Sequence, residues 1–106
     1  MLRDAIVVLC AAPREFDAEA LAMQLVEGRL AACVQIGGPI TSVYRWKAGV
    51  ERSDERLLLI KTRRDVFPQL QAAIKAAHPY EVPEIVALEL TMAHAPYLAW
   101  LEESVV

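Results

Sequence analysis

The sequence predicts an α+β domain on the split β-α-β, or ferredoxin-like, plan: an antiparallel sheet built in the order β-α-β-β-α-β, followed by a C-terminal helix. Three observations predict it. Two segments, residues 15–27 and 66–77, carry apolar residues at helical spacing, and each follows a strand-like apolar run. Between the two helices lie two long strand-like stretches that meet at Lys47-Ala48-Gly49-Val50. A last strand-like run and a helix opened by Pro96 complete the chain.

Each element has its own warrant. Ala5-Ile6-Val7-Val8-Leu9-Cys10 is a continuous apolar run bounded by Ala12-Pro13, as in a strand buried on both faces. Ala18, Leu21, Ala22, Leu25 and Val26 then form an amphipathic stripe, and Gly28 is placed to end that helix in a left-handed conformation. Leu30 to Ile36 reads as a strand that Gly37-Gly38-Pro39 bends or bulges rather than breaks. Beyond it Ile40, Ser42, Tyr44 and Trp46 share one face, and Thr41, Val43 and Arg45 the other. The returning strand ends in Leu57 to Thr62. Asp65 is placed as N-cap of the second helix, Pro68 falls in its first turn, and His78-Pro79 stops it. Val82 to Thr91 reads as the fourth strand. Tyr97, Leu98, Trp100 and Leu101 supply the apolar residues of the last helix.

Length and composition bound the function. The 106 residues form a single domain spanning 1–106. Hydrophobic residues make up 56%, above the usual ~45–50%. The runs Ile6-Val7-Val8-Leu9 and Leu57-Leu58-Leu59-Ile60 are apolar on both strand faces, whereas two helices cover only one. Subunit packing over the second face is the expected remedy, and Tyr44 and Trp46 near a hairpin tip also call for a neighbour. Net charge is −3, from 11 basic and 14 acidic residues with no basic stripe, which excludes nucleic acid as a partner. No apolar run approaches the ~20 residues of a membrane span. Met1-Leu2-Arg3 and the apolar run after it bear a faint likeness to a signal peptide, but Asp4 and Leu9 stand against it, and the segment reads as a strand. Cys10 and Cys33 form no CxxC and no disulfide framework, so reduced thiols in a cytoplasmic protein are expected.

Candidate sites follow from topology. The first strand and the second helix end at the same end of the sheet, which lets Cys10, Trp46, His78 and Tyr80 converge. Cys10 and His78 offer a thiolate and an imidazole, ligands for Cu(I), Cu(II) or Zn(II), with Glu81, Glu84 or a neighbouring subunit needed to complete the set. Equally, Cys10 can be a small buried hydrophobe at a strand end and His78 a residue ending a helix. Lys61, Tyr80 and Glu84 can line an inter-subunit cleft for a small anion or metabolite, or form a buried pair that fixes strand register. Cys33 reads as core and His94 as an exposed residue at a helix start. No enzyme is expected: Ser42 and Ser53 lack a nucleophile-elbow context, Cys10 with His78 lacks a third group, and there is no phosphate loop.

Leu30-Ala31-Ala32-Cys33-Val34, Ile40-Thr41-Ser42-Val43-Tyr44-Arg45-Trp46, Lys61-Thr62, His78-Pro79-Tyr80-Glu81-Val82-Pro83-Glu84 and Tyr97-Leu98-Ala99-Trp100-Leu101, in this order, resemble the CutA divalent-cation tolerance family over nearly the whole chain. The resemblance implies a compact homotrimer whose subunits extend one another's sheets, an architecture similar to the trimeric PII signalling proteins, and a cytoplasmic protein without established enzymatic activity. It also implies a response to divalent metals, with copper binding in some members. Cys10 matches the family's cysteine after the first strand, and His78 the histidine of its His-Pro-Tyr motif. Ala77 stands where some members carry a second histidine, so copper or another divalent cation is expected to bind weakly.

Overall fold

The computed structural model describes residues 4–106, so the reading of Met1 to Arg3 lies outside the described residues. The chain runs β1 (Ala5–Pro13), α1 (Ala18–Glu27), β2 (Cys33–Trp46), β3 (Gly49–Arg63), α2 (Phe67–Ala77), β4 (Val86–Glu89) and α3 (Ala95–Ser104). The sheet order is β2-β3-β1-β4, with every neighbouring pair antiparallel. This is the expected split β-α-β plan.

The period-2 geometry of the central strands divides their apolar residues between two faces. Ile6, Val8, Cys10 and Ala12 of β1 and Leu58 and Ile60 of β3 pack under Leu21 and Leu25 of α1 and Leu70 and Ile74 of α2, each at most 3% exposed. Thr62 is the polar member of this face, and its hydroxyl donates to the Leu30 carbonyl at 2.7 Å. On the opposite face Val7, Leu9, Leu57 and Leu59 are half-buried, while Val86 and Leu88 of β4 remain 47% and 52% exposed.

The helix α3 closes one end of the molecule. Leu101 and Val105 pack with Ala5, Ala32 and Val66, and the Lys61 ammonium lies 5.4 Å from the centroid of the Tyr97 ring. The orphan carbonyls at the C-terminal end of α3 are met by two arginines. Arg63 donates to the carbonyls of Glu102, Val105 and Val106, and Arg29 to those of Glu103 and Ser104.

Three local expectations are corrected. Gly28 stays right-handed (φ −78°), and Arg29 takes the left-handed position instead, with φ 60°. A side chain there costs about 1–2 kcal/mol, offset by the guanidinium's bonds to α3. Asp65 does not cap α2: it lies in a 3₁₀ turn, Arg64–Val66, and its carboxylate turns back to Arg63 in a two-bond pair with both contacts at 2.9 Å. A bidentate guanidinium offers more than one backbone N–H. The fourth strand is Val86–Glu89, not Val82–Thr91. Pro79 and Pro83 have no N–H to give a ladder, and the segment between them runs as a loop.

At the other end β2 and β3 outrun β1, whose last partner is Glu55, so residues 40–54 project as a two-stranded arm. A β-bulge stands at its base. From Gly37 to Ile40 the strand β2 advances three residues while its partners pass from Leu57 to Glu55, two residues away. Gly38 sits there at φ 125°, and a side chain would stand 3.3 Å from the Arg56 Cα. The bulge places Ile40, Ser42, Tyr44 and Trp46 on the face that Cys33 and Gln35 occupy below it.

Candidate functional site

The base of the arm, the end of β1 and the loop after α2 meet at one end of the sheet. His78 terminates α2 with an extended backbone, which Pro79 enforces. Its Nε2 lies 2.8 Å from the Ala11 carbonyl oxygen, and its Nδ1 accepts from the Tyr80 N–H at 3.1 Å. A carbonyl can only accept, so Nε2 carries the proton and both ring nitrogens are engaged. The ring is buried between Phe16 and Tyr80, with centroids at 5.9 and 4.8 Å.

Cys10 is fully buried on the helix-covered face. Burial pushes its thiol up to about 11, reinforced by the negative charges of Glu84 and Glu55. A metal needs the thiolate and an unprotonated imidazole nitrogen. Here the thiol is held protonated and His78 joins α2 and its loop to β1. Cys10 and His78 thus flank the same residue, Ala11, yet their arrangement is that of packing and hydrogen bonding. Among the described residues no group of three or more His, Cys, Asp or Glu side chains is arranged to hold a metal ion.

Immediately beside them opens a groove of about 810 Å³. Tyr44 and Trp46 of the arm form one wall, Tyr80, Glu81 and Glu84 of the loop the other, and Ala11 and Glu55 line its base. Glu55 is only 4% exposed and accepts the Tyr80 O–H at 2.7 Å. Burial first, and then this bond to a carboxylate, hold the Tyr80 phenol well above its usual range. Tyr44 and Ser53 join hydroxyls at 2.7 Å across the arm.

The expected convergence of Cys10, Trp46, His78 and Tyr80 is therefore split. Trp46 and Tyr80 line the groove, while Cys10 and His78 are buried and line none of it. Tyr80 and Glu84 share the groove, but Lys61 pairs with Val7, six residues along β3 from Glu55, and packs on Tyr97. Within one chain it does not join them. Cys33 is half-buried opposite Lys61 on the open face rather than in the core, and His94 is exposed at the start of α3 with no capping bond from its side chain. Local pattern does not signal Glu55, because Arg52-Ser53-Asp54-Glu55-Arg56 reads as a solvated run. The usable signal is its period-2 continuation of Leu57 and Leu59.

Residues 6–104 match the family model described as CutA1 divalent ion tolerance protein. The "Divalent-cation tolerance protein CutA" of Thermus thermophilus is 50% identical over 92% of this chain and 95% of its own length. A solved structure of the divalent cation tolerance protein from the same organism superposes with a TM-score of 0.93 at 48% identity, covering 96% of this chain and 99% of the other. The human "Protein CutA" is 42% identical over 86% of this chain, and the match spans 51% of that longer protein.

Proposed function

The chain belongs to the CutA1 divalent ion tolerance family, and from that premise we propose that it serves divalent-cation tolerance as a cytoplasmic homotrimer that catalyses no reaction of its own. The observation that carries the trimer is the open sheet face. Val7, Leu9, Leu57 and Leu59 are half-buried, Val86 and Leu88 are about half exposed, and α3 covers only the far end. Trp46, 37% exposed on the arm, is a natural anchor for a neighbouring subunit. Copper or another divalent cation binds weakly, micromolar or poorer, because a cation at Cys10 and His78 must displace a proton or a hydrogen bond from each.

Native mass spectrometry with and without Cu(II) tests both halves. The expected result is a species of three 11.8 kDa subunits with substoichiometric metal at low micromolar copper. Trp46→Ala should shift the assembly toward smaller species, in line with the ~3–5 kcal/mol lost when a buried large aromatic is truncated. A wild-type monomer at micromolar concentration overturns the trimer.

A second reading, a ligand-sensing trimer whose metal phenotype is indirect, is favoured by the groove between arm and loop.

A further inference from the structure

We propose that the groove is half of an inter-subunit site, completed by the Lys61 ammonium of a second copy of this chain. The proposal rests on the trimer reading above and names what a neighbour brings to the groove. A closed ring of three identical subunits cannot match one patch with itself; each chain must present two different patches that fit each other. The open sheet face carries such a pair at its two ends. At one end Glu55, Glu81 and Glu84 line the groove beside aromatic walls, and no lysine or arginine lines it. Glu55 is 4% exposed with a tyrosine hydroxyl as its hydrogen-bond partner. Among the described residues no ion pair joins any of these three glutamates to a basic side chain. A carboxylate placed like Glu55 is costly to hold without an opposite charge.

The other end of the same face supplies the charge. By strand register the open face of the sheet holds two basic residues, Lys61 and Arg63. Arg63 is committed to Asp65 and to the carbonyls of α3. Lys61 is half-buried between Val7 and Cys33 with its ammonium over the Tyr97 ring, and among the described residues no ion pair joins it to a carboxylate. Six residues of β3 separate it from Glu55, about 20 Å along an extended strand, so the two do not meet within one chain. The chain's own Lys47 lies 5.7 Å from the centroid of the Trp46 ring and lines no part of the groove. A neighbour laid end to end on the open face brings Lys61 to the carboxylates and covers the Trp46 wall in the same contact. The long apolar stem of lysine suits a path over aromatic rings to a charged end.

The test uses the full chain. Unlabelled and heavy-isotope-labelled copies are unfolded, mixed and refolded together, then treated with a zero-length carbodiimide that joins amines to carboxyls in contact. The expected product is a mixed-isotope peptide pair linking Lys61 to Glu81 or Glu84, which only two different chains can form. Lys61→Met and Glu84→Gln, the latter at an exposed position, should each raise the concentration at which the trimer dissociates, by about ten-fold for a lost charge pair. Combined, they should cost about as much as one alone, because each removes the same contact. A Lys61 that merely packs on its own Tyr97 predicts losses that add. Additive losses, or mixed-isotope links that run from Lys61 only to acids outside the groove, overturn the proposal and leave the trimer standing. A wild-type monomer in native mass spectrometry overturns the trimer reading itself.

Discussion

The two faces of the sheet are built from neighbouring residues of the same strands, yet they have different fates. Under α1 and α2, Val8, Cys10, Leu58 and Ile60 have no exposed surface at all. One residue along in each case, Val7, Leu9, Leu57 and Leu59 are half open, and β4 presents Val86 and Leu88 still further to solvent. Both sets of central residues are apolar, so hydrophobicity alone does not mark the core. What separates them is cover: one face is covered within the chain, and the other is left partly open.

The comparison is broken most forcefully by deleting matched side chains. Leu58→Ala should lower the unfolding free energy by about 3–4 kcal/mol, since the helices above it cannot collapse into the space. Guanidinium unfolding followed by circular dichroism measures this. Leu88→Glu, on the other face, should leave the circular dichroism spectrum of the subunit intact and reduce the mass in sedimentation. If both variants unfold alike, the open face is a second core rather than a contact surface.

A smaller effect sharpens the contrast through pH. The Cys10 thiol keeps its proton to about pH 11 in the folded chain but titrates near ~8.5 when unfolded. Between these values the unfolded chain holds fewer protons, so stability falls as pH rises, by about 1.4 kcal/mol per unit at most. Tyr80, also raised, extends the loss above the ordinary tyrosine range. Urea midpoints at pH 8 and pH 10.5 should therefore differ by less in Cys10→Ala than in the wild type. An unchanged difference would mean that Cys10 is not the group shielded by the helices.

The smallest effect concerns the solvated surface. The bond from Arg63 holds the Asp65 carboxyl below its usual value, so its stabilisation is present at neutral pH and fades as pH falls through the lowered value. Asp65 is largely exposed, and solvent screening limits Asp65→Asn to about 0.5 kcal/mol or less. Thermal melts at pH 7 in low salt and in 1 M NaCl should show that small loss only in low salt.

How much of this is legible in the sequence depends on the range of the deciding interaction. The stripes of α1 and α2, the two long middle strands and the stop at His78-Pro79 are written in local periodicity and form as elements where expected, although α1 begins at Ala18 rather than residue 15, β2 at Cys33 rather than Leu30, and Val26 of the α1 stripe is exposed. Family membership is legible too, from short motifs in fixed order. Other features are decided at a distance. Arg29 holds a left-handed position because α3, 74 residues away along the chain, presents carbonyls to it. Asp65 is drawn from capping by Arg63. His78 has the type and place of a metal ligand, but the Ala11 carbonyl and the Tyr80 amide, invisible in any spacing, engage both its nitrogens. Lys61 has the chemistry of a partner for Tyr80 and Glu84, but strand register puts it at the opposite end.

The bulge at the base of the arm behaves like a frameshift. Below it odd-numbered residues of β2 face the open side, and above it even-numbered residues do. Read by simple alternation, the same sequence without a bulge would turn Thr41, Val43 and Arg45 to the open side in place of Ser42, Tyr44 and Trp46. The chemistry of that end is thus encoded twice, once in which residues the arm carries and once in the phase in which they are read. Deleting one residue between Gly37 and Ile40 would remove the bulge and keep that phase, whereas deleting both would reverse it.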